Sequence, residues 1–164
     1  MDFKKKKKDE NYISLHTASK EGKCDVVKSL LDRRADINAR NEDSETPLHV
    51  AAVGEQVEVV QLLLERGAEV NSRDHDGLIP LHHVSRQGEV EISRILIDHG
   101  ADVNARECDY WTPLHYSAHN GHLGIVKLLL ERGADTQALN DEGQTPYQVS
   151  LRSGFRRIAD LLGE

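Results

Sequence analysis

Apolar residues in this chain fall into short clusters with helical spacing, separated by polar, turn-rich spans. Val59, Val60, Leu62, Leu63 and Leu64 form one cluster; Ile125, Val126, Leu128, Leu129 and Leu130 form another. Spacings of three and four residues put these side chains on one broad face of a helix. A shorter element precedes each cluster and opens with Thr-Pro-Leu-His, at Thr46–His49 and again at Thr112–His115. Threonine is a favoured N-cap, and proline suits the first helical position, where its missing N–H costs nothing. Gly22, Gly88, Gly121 and Gly154 then interrupt the first helix, and Gly67, Gly100 and Gly133 close the second. A left-handed residue commonly ends a helix, and glycine adopts that conformation freely. Residues 71–77, Asn-Ser-Arg-Asp-His-Asp-Gly, typify the polar span that follows, which reads as a projecting hairpin-like turn.

The pattern has a period of 33 residues, marked by His16, His49, His82, His115 and Gln148. All four prolines, Pro47, Pro80, Pro113 and Pro146, lie two residues before a landmark, and Asn38, Asn71 and Asn104 lie 22 after one. One such unit cannot bury its apolar stripe alone, whereas stacked units share a continuous core. The period, the Thr-Pro-Leu-His tetrads, the paired helices and Gly100-Ala101-Asp102 with Asn104 resemble the ankyrin-repeat family over residues 9 to 164. The resemblance implies an all-α solenoid of five stacked helix-turn-helix units with β-hairpin-like turns. Expected units span about residues 9–40, 41–73, 74–106, 107–139 and 140–164, forming one domain after a disordered Lys-rich tail at 1–8.

Departures from the pattern predict caps and a weak point. The first unit has Ile13-Ser14-Leu15-His16 without proline, and the last carries outward Arg152, Arg156 and Arg157. The third has Ile79 in place of the capping threonine and Ser93 in place of a core aliphatic, so it is expected to be the softest.

Charge narrows the possible partners. The chain carries −7 overall, and setting aside the +2 of residues 1–10, where Lys4 to Lys8 run together, leaves −9. An acidic body disfavours nucleic acid, since phosphate contacts need lysine and arginine surfaces. No apolar run approaches the roughly 18 residues a bilayer span needs, and there is no secretory h-region. A monomer in the cytoplasm or nucleus, with no membrane association, is the expectation. Cys24 and Cys108 sit three units apart, too far for a disulfide.

Trp111-Thr-Pro-Leu-His-Tyr-Ser-Ala-His-Asn-Gly-His122 raises the question of a metal site, because His115, His119 and His122 would share a face if the whole stretch were helical. The repeat argues against it. His115 is the landmark histidine, which the resemblance implies braces its turn, and His122 lies beyond the helix-breaking Gly121. HExxH, paired CxxC, phosphate-loop and GxSxG motifs are absent, so no metal, cofactor or catalytic residue is expected.

Recognition is expected where the repeat imposes nothing. The resemblance places hairpin tips and free first-helix positions on a concave surface. By register these are Tyr12, Lys20 and Glu21; Glu42, Asp43, Glu45 and Val53; His75, Asp76, Leu78, Arg86 and Gln87; Cys108, Asp109, Tyr110, Trp111, His119 and Asn120; and Asp141, Glu142, Gln144 and Arg152. Leu78, Tyr110 and Trp111 are the expected apolar contacts, since Trp and Tyr are enriched at binding hot spots. Alternatively, Trp111 lies on its neighbouring turn and covers its own stack. Acids crowd the turns, including Asp74 and Glu107, and would steer a basic partner unless Arg40, Arg73 and Arg106 neutralise them. The family's usual role implies a non-catalytic scaffold for protein–protein interaction. The alternative is a regulatory inhibitor that occludes a basic segment of an enzyme or transcription factor.

Overall fold

The computed structural model describes residues 13–163. The lysine run, the tail at 1–8, the start of the first unit and Tyr12 lie outside the described residues. Ten helices follow one another in pairs: α1 (Leu15–Lys20) with α2 (Cys24–Asp32), α3 (Pro47–Val53) with α4 (Val57–Glu65), α5 (Pro80–Gln87) with α6 (Val90–Asp98), α7 (Pro113–Asn120) with α8 (Leu123–Glu131), and α9 (Pro146–Arg152) with α10 (Arg156–Leu162). First helices pack on first helices and second helices on second, each pair touching its neighbours. No β-strand occurs among the described residues. The projecting turns are closed instead by single bonds such as Asp74 N–H to the Leu78 carbonyl, 2.9 Å.

The core runs unbroken through the stack. Leu48, Leu81 and Leu114, one residue before each landmark, are fully buried, as are Leu63, Leu96 and Leu129 on the second helices. Truncating any of them to alanine would remove about 2–5 kcal/mol.

Three sets of polar ties hold successive units in register. The landmark histidines form the first. His49 Nδ1 accepts the backbone N–H of the N-cap Thr46 at 3.1 Å. Its Nε2–H donates to the Leu78 carbonyl of the next unit at 3.1 Å. His115 repeats both bonds, to Thr112 N–H and the Gln144 carbonyl. His82 accepts from Ile79 N–H and donates to the Ala105 carbonyl. Asparagines form the second set. Asn38, Asn71 and Asn104 accept the backbone N–H of Glu69, Asp102 and Asp135, each one unit on. Arginines form the third. Arg40 donates to the carbonyls of Ser44 and Arg73, and Arg73 to those of Gly77 and Arg106.

Both departures of the third unit have local compensations in the structure. Ile79 makes no side-chain capping bond, but it is buried in the core cluster. A fully buried aliphatic side chain contributes about 1.5–3 kcal/mol, against about 0.5–2 for the lost cap. Ser93 is buried with its hydroxyl satisfied, donating to the Glu89 carbonyl at 2.7 Å. Both cysteines are free.

Two outcomes follow. Ile79→Thr exchanges about 0.5–1.5 kcal/mol of apolar packing for a cap of similar worth, so urea unfolding should shift by less than about 1 kcal/mol. A loss above 2 would show that packing outweighs the cap. The second concerns pH. Burial lowers the pKa of His49 and His115, and lowers that of His82 to about 4. Protonation would also put a proton on the Nδ1 that must accept. Between the ordinary 6.5 and about 4, the unfolded chain therefore takes up protons that the folded chain refuses. The His82 contribution to stability is full above pH 6.5 and falls as the pH drops towards 4, by up to about 1.4 kcal/mol per pH unit, and His49 and His115 act in the same direction. His82→Gln should fold, because Gln148 Oε1 already accepts Thr145 N–H in this role, and it should show a shallower pH slope. Unfolding free energies that do not change over that window would refute the brace.

Candidate functional site

Each projecting turn is built on one buried or half-buried side chain that accepts backbone N–H groups. Asn41 Oδ1 takes those of Asp43 and Glu45, Asp74 Oδ1 those of Asp76 and Leu78, and Glu107 those of Asp109 and Trp111. Asn140 Oδ1 takes the N–H of Gln144. This lock closes each turn without using the side chains at its tip. It also removes two acids from the rim, since Asp74 and Glu107 point inward, and Glu107 is only 7% exposed.

The tips stack directly on one another. His75 N–H donates to the Asp43 carbonyl, Cys108 N–H to that of Asp76, and Asp141 N–H to that of Asp109. One carboxylate per unit is thereby held in register: Asp43, Asp76, Asp109 and Glu142, all exposed. Arg40 and Arg73 make no ion pair with them among the described residues; their guanidinium groups bond to carbonyls instead. Glu142 pairs with Arg152 at 2.6 Å, and Asp76 lies 3.3 Å from the ring of His75. His75 Nδ1–H also donates to the Asp43 carbonyl, the contact that most raises its pKa.

Trp111 is half-buried at the centre of a ring cluster. Its indole lies 5.1 Å from Tyr116, 5.4 Å from His119 in an edge-on arrangement, and 5.8 Å from His115. Burial, reinforced by the Glu107 carboxylate, pushes the Tyr116 phenol up to about 12, so it stays neutral. Cavities open on both sides of the indole. One, about 340 Å³, reaches Val149, Arg152 and Ser153; the other, about 470 Å³, reaches Arg86, Asp109, Tyr116 and Asp141. His119 and Glu142 border both. His119 is tied to the Ser153 hydroxyl of the next unit at 2.9 Å, and Asn120 to the Tyr116 carbonyl at 2.8 Å.

Beside Trp111, Tyr110 occupies the left-handed region at φ 60° and is 54% exposed. Gly77 and Gly143 stand at the same place in neighbouring units, also with positive φ. An L-residue there costs about 1–2 kcal/mol, a cost that Ser44 also carries at the equivalent place in the second unit, with φ 59°.

The expected contact residues divide accordingly. Tyr110, Asp109, Asp76, His75, Arg86, His119, Asn120, Asp43 and Glu42 are exposed, and Trp111 is partly so. Leu78 corrects an expectation: it is 6% exposed, among the buried hydrophobics rather than on the rim. It holds the same repeat position as Trp111, and its smaller side chain is enclosed where the larger indole is only half-buried. Glu45 is half-buried, with its carboxylate accepting from Asn41 Nδ2 at 2.9 Å. Tyr116 escaped sequence reasoning. Its only signal was an aromatic ring after a landmark histidine, where two other units carry Val50 and Val149.

The histidines of the Trp111 stretch do not share one face. Gly121 ends α7 in the left-handed conformation, and His122 caps α8 with its ring on the Arg86 carbonyl. A different trio, His49, Asp74 and His83, brings its nitrogen and oxygen atoms within 4.8 Å of one another. Each is already engaged: His49 through both nitrogens, Asp74 Oδ1 by two backbone N–H groups, and Asp74 Oδ2 by His83 Nε2 at 2.9 Å. Burial alone would raise the Asp74 pKa, but these donors hold it below the usual carboxylate range. The trio could take a metal only by surrendering those bonds; as arranged, it clamps the third turn to α5.

A family model for ankyrin repeats in three copies matches residues 15–107, and one for ankyrin repeats in many copies matches 96–150. The chain belongs to the ankyrin-repeat family. No curated protein matches it. Ankyrin repeats are generally protein–protein interaction modules, and in this ankyrin stack Tyr110 and Trp111 are the features the repeat itself does not require.

Tyr110→Gly should raise stability by up to about 1 kcal/mol, after allowing for glycine's greater freedom in the unfolded chain. Chemical denaturation measures this. A loss of stability would mean that the phenol ring packs productively on its own turn.

Proposed function

We propose that this protein is a non-catalytic scaffold. It binds a partner protein through the face formed by its hairpin tips and first helices, centred on Tyr110 and Trp111. Tyr110 carries the reading: an exposed aromatic side chain held in a backbone conformation that costs stability, beside a half-buried tryptophan flanked by cavities. Strain retained at a surface position points to use at that position. The turn locks and the bonds between tips preform the surface, which reduces the ordering cost of binding. The exposed carboxylates favour a partner with a basic surface and speed its approach.

The test is affinity capture from a native lysate with the wild-type chain and Tyr110→Gly. A partner held through this face should be retained by the wild type and weakened by about 1–2 kcal/mol in the variant, although the variant is at least as stable. Equal retention by both would remove Tyr110 from the interface.

A further inference from the structure

The larger cavity beside Trp111 has a distinct chemical character. It is lined by the aromatic side chains of Trp111, Tyr116 and His119 together with Asn120, Arg86 and the acids Asp109, Asp141 and Glu142. Glu142 is shared with Arg152, but Asp109 and Asp141 accept no side-chain hydrogen bond and no ion pair among the described residues. Carboxylates therefore outnumber the one arginine of this cavity. Aromatic faces beside unpaired carboxylates attract cations doubly, through the ring quadrupole and through charge. Arginine suits the arrangement best, since a planar guanidinium can stack on an indole while its edge meets a carboxylate.

The stacked tips add a spacing. Asp109 is followed by Asp76 and then Asp43, one per unit, and neighbouring units step by the roughly 8–10 Å of helix packing. An extended polyproline II segment returns the same face every third residue, roughly 9 Å along.

Building on the scaffold reading above, we propose that the cavity beside Trp111 receives an arginine or lysine side chain from an extended partner segment, whose further basic residues recur at every third position over Asp76 and Asp43. Partner recognition would then read a spacing of charge and not only its sign.

Trp111 is the only tryptophan in the chain, so its fluorescence reports on this cavity directly. The probes are three synthetic nonapeptides: (Arg-Pro-Ser)3, the same composition with its three arginines adjacent, and (Gln-Pro-Ser)3. The spaced arginine peptide should change the emission saturably and bind at least about tenfold more tightly than either of the others. Asp109→Asn with Asp141→Asn, both exposed side chains, should weaken it by about tenfold or more with an unchanged circular dichroism spectrum, and raised salt should weaken it too. Absence of a saturable change at millimolar peptide, equal binding of the glutamine peptide, or indifference to the double substitution would each overturn the proposal. Equal binding of the clustered peptide would overturn the three-residue register. If these tests fail while capture still depends on Tyr110, only this inference falls. If capture is also indifferent to Tyr110, the scaffold reading at this face falls with it.

Discussion

Each of the imidazoles of His49, His82 and His115 holds two units at once. Its Nδ1 accepts the N–H that opens its own helix, and its Nε2–H reaches a carbonyl of the next unit. Both bonds can exist only if the ring is neutral and in one tautomer. Burial supplies that condition by disfavouring the charged form. The threonine cap, the proline at the first helical position and the buried leucine between them all serve to place this ring. In a stack where each unit touches only its neighbours, a tie of this kind at every step is what makes separate helical pairs one cooperative body.

The same economy of ties explains why the tips are free to recognise something else. Asn41, Asp74, Glu107 and Asn140 close the turns from within, and the arginines bond to carbonyls along the stack. Structural demand is met by backbone groups and inward side chains. Exposed carboxylates at the tips are left without partners of comparable number, and the tip positions tolerate residues as different as Ser44, Gly77, Tyr110 and Gly143. All four backbones are left-handed, so both Ser44 and Tyr110 hold a side chain in a conformation that resists one, and Tyr110 does so with a large exposed ring.

Residue spacing was enough to read the ten helices, their pairing and their stacking, because the period constrains apolar faces, caps and breakers together. Tyr110 and Trp111 were also legible, since an aromatic pair stands where sister turns carry small or polar residues. The sequence misjudged Leu78, because accessibility at one repeat position depends on the size of the side chain and on what the next unit lays over it. It also misjudged Ile79, where a missing hydroxyl was visible but the compensating burial was not.

The sequence by itself determined that identical units must stack, which face of each helix they bury and where the chain turns, because those follow from local periodicity and short-range capping. Only the tertiary structure decided which acids face inward, that Arg40 and Arg73 bond to carbonyls, that Tyr116 and His119 gather round Trp111, and that cavities adjoin it. The arginine bonds reach a carbonyl 33 residues on and the cavities draw on more than one unit, while the inward acids and the ring cluster, though near in sequence, depend on side-chain direction and burial that residue spacing does not encode.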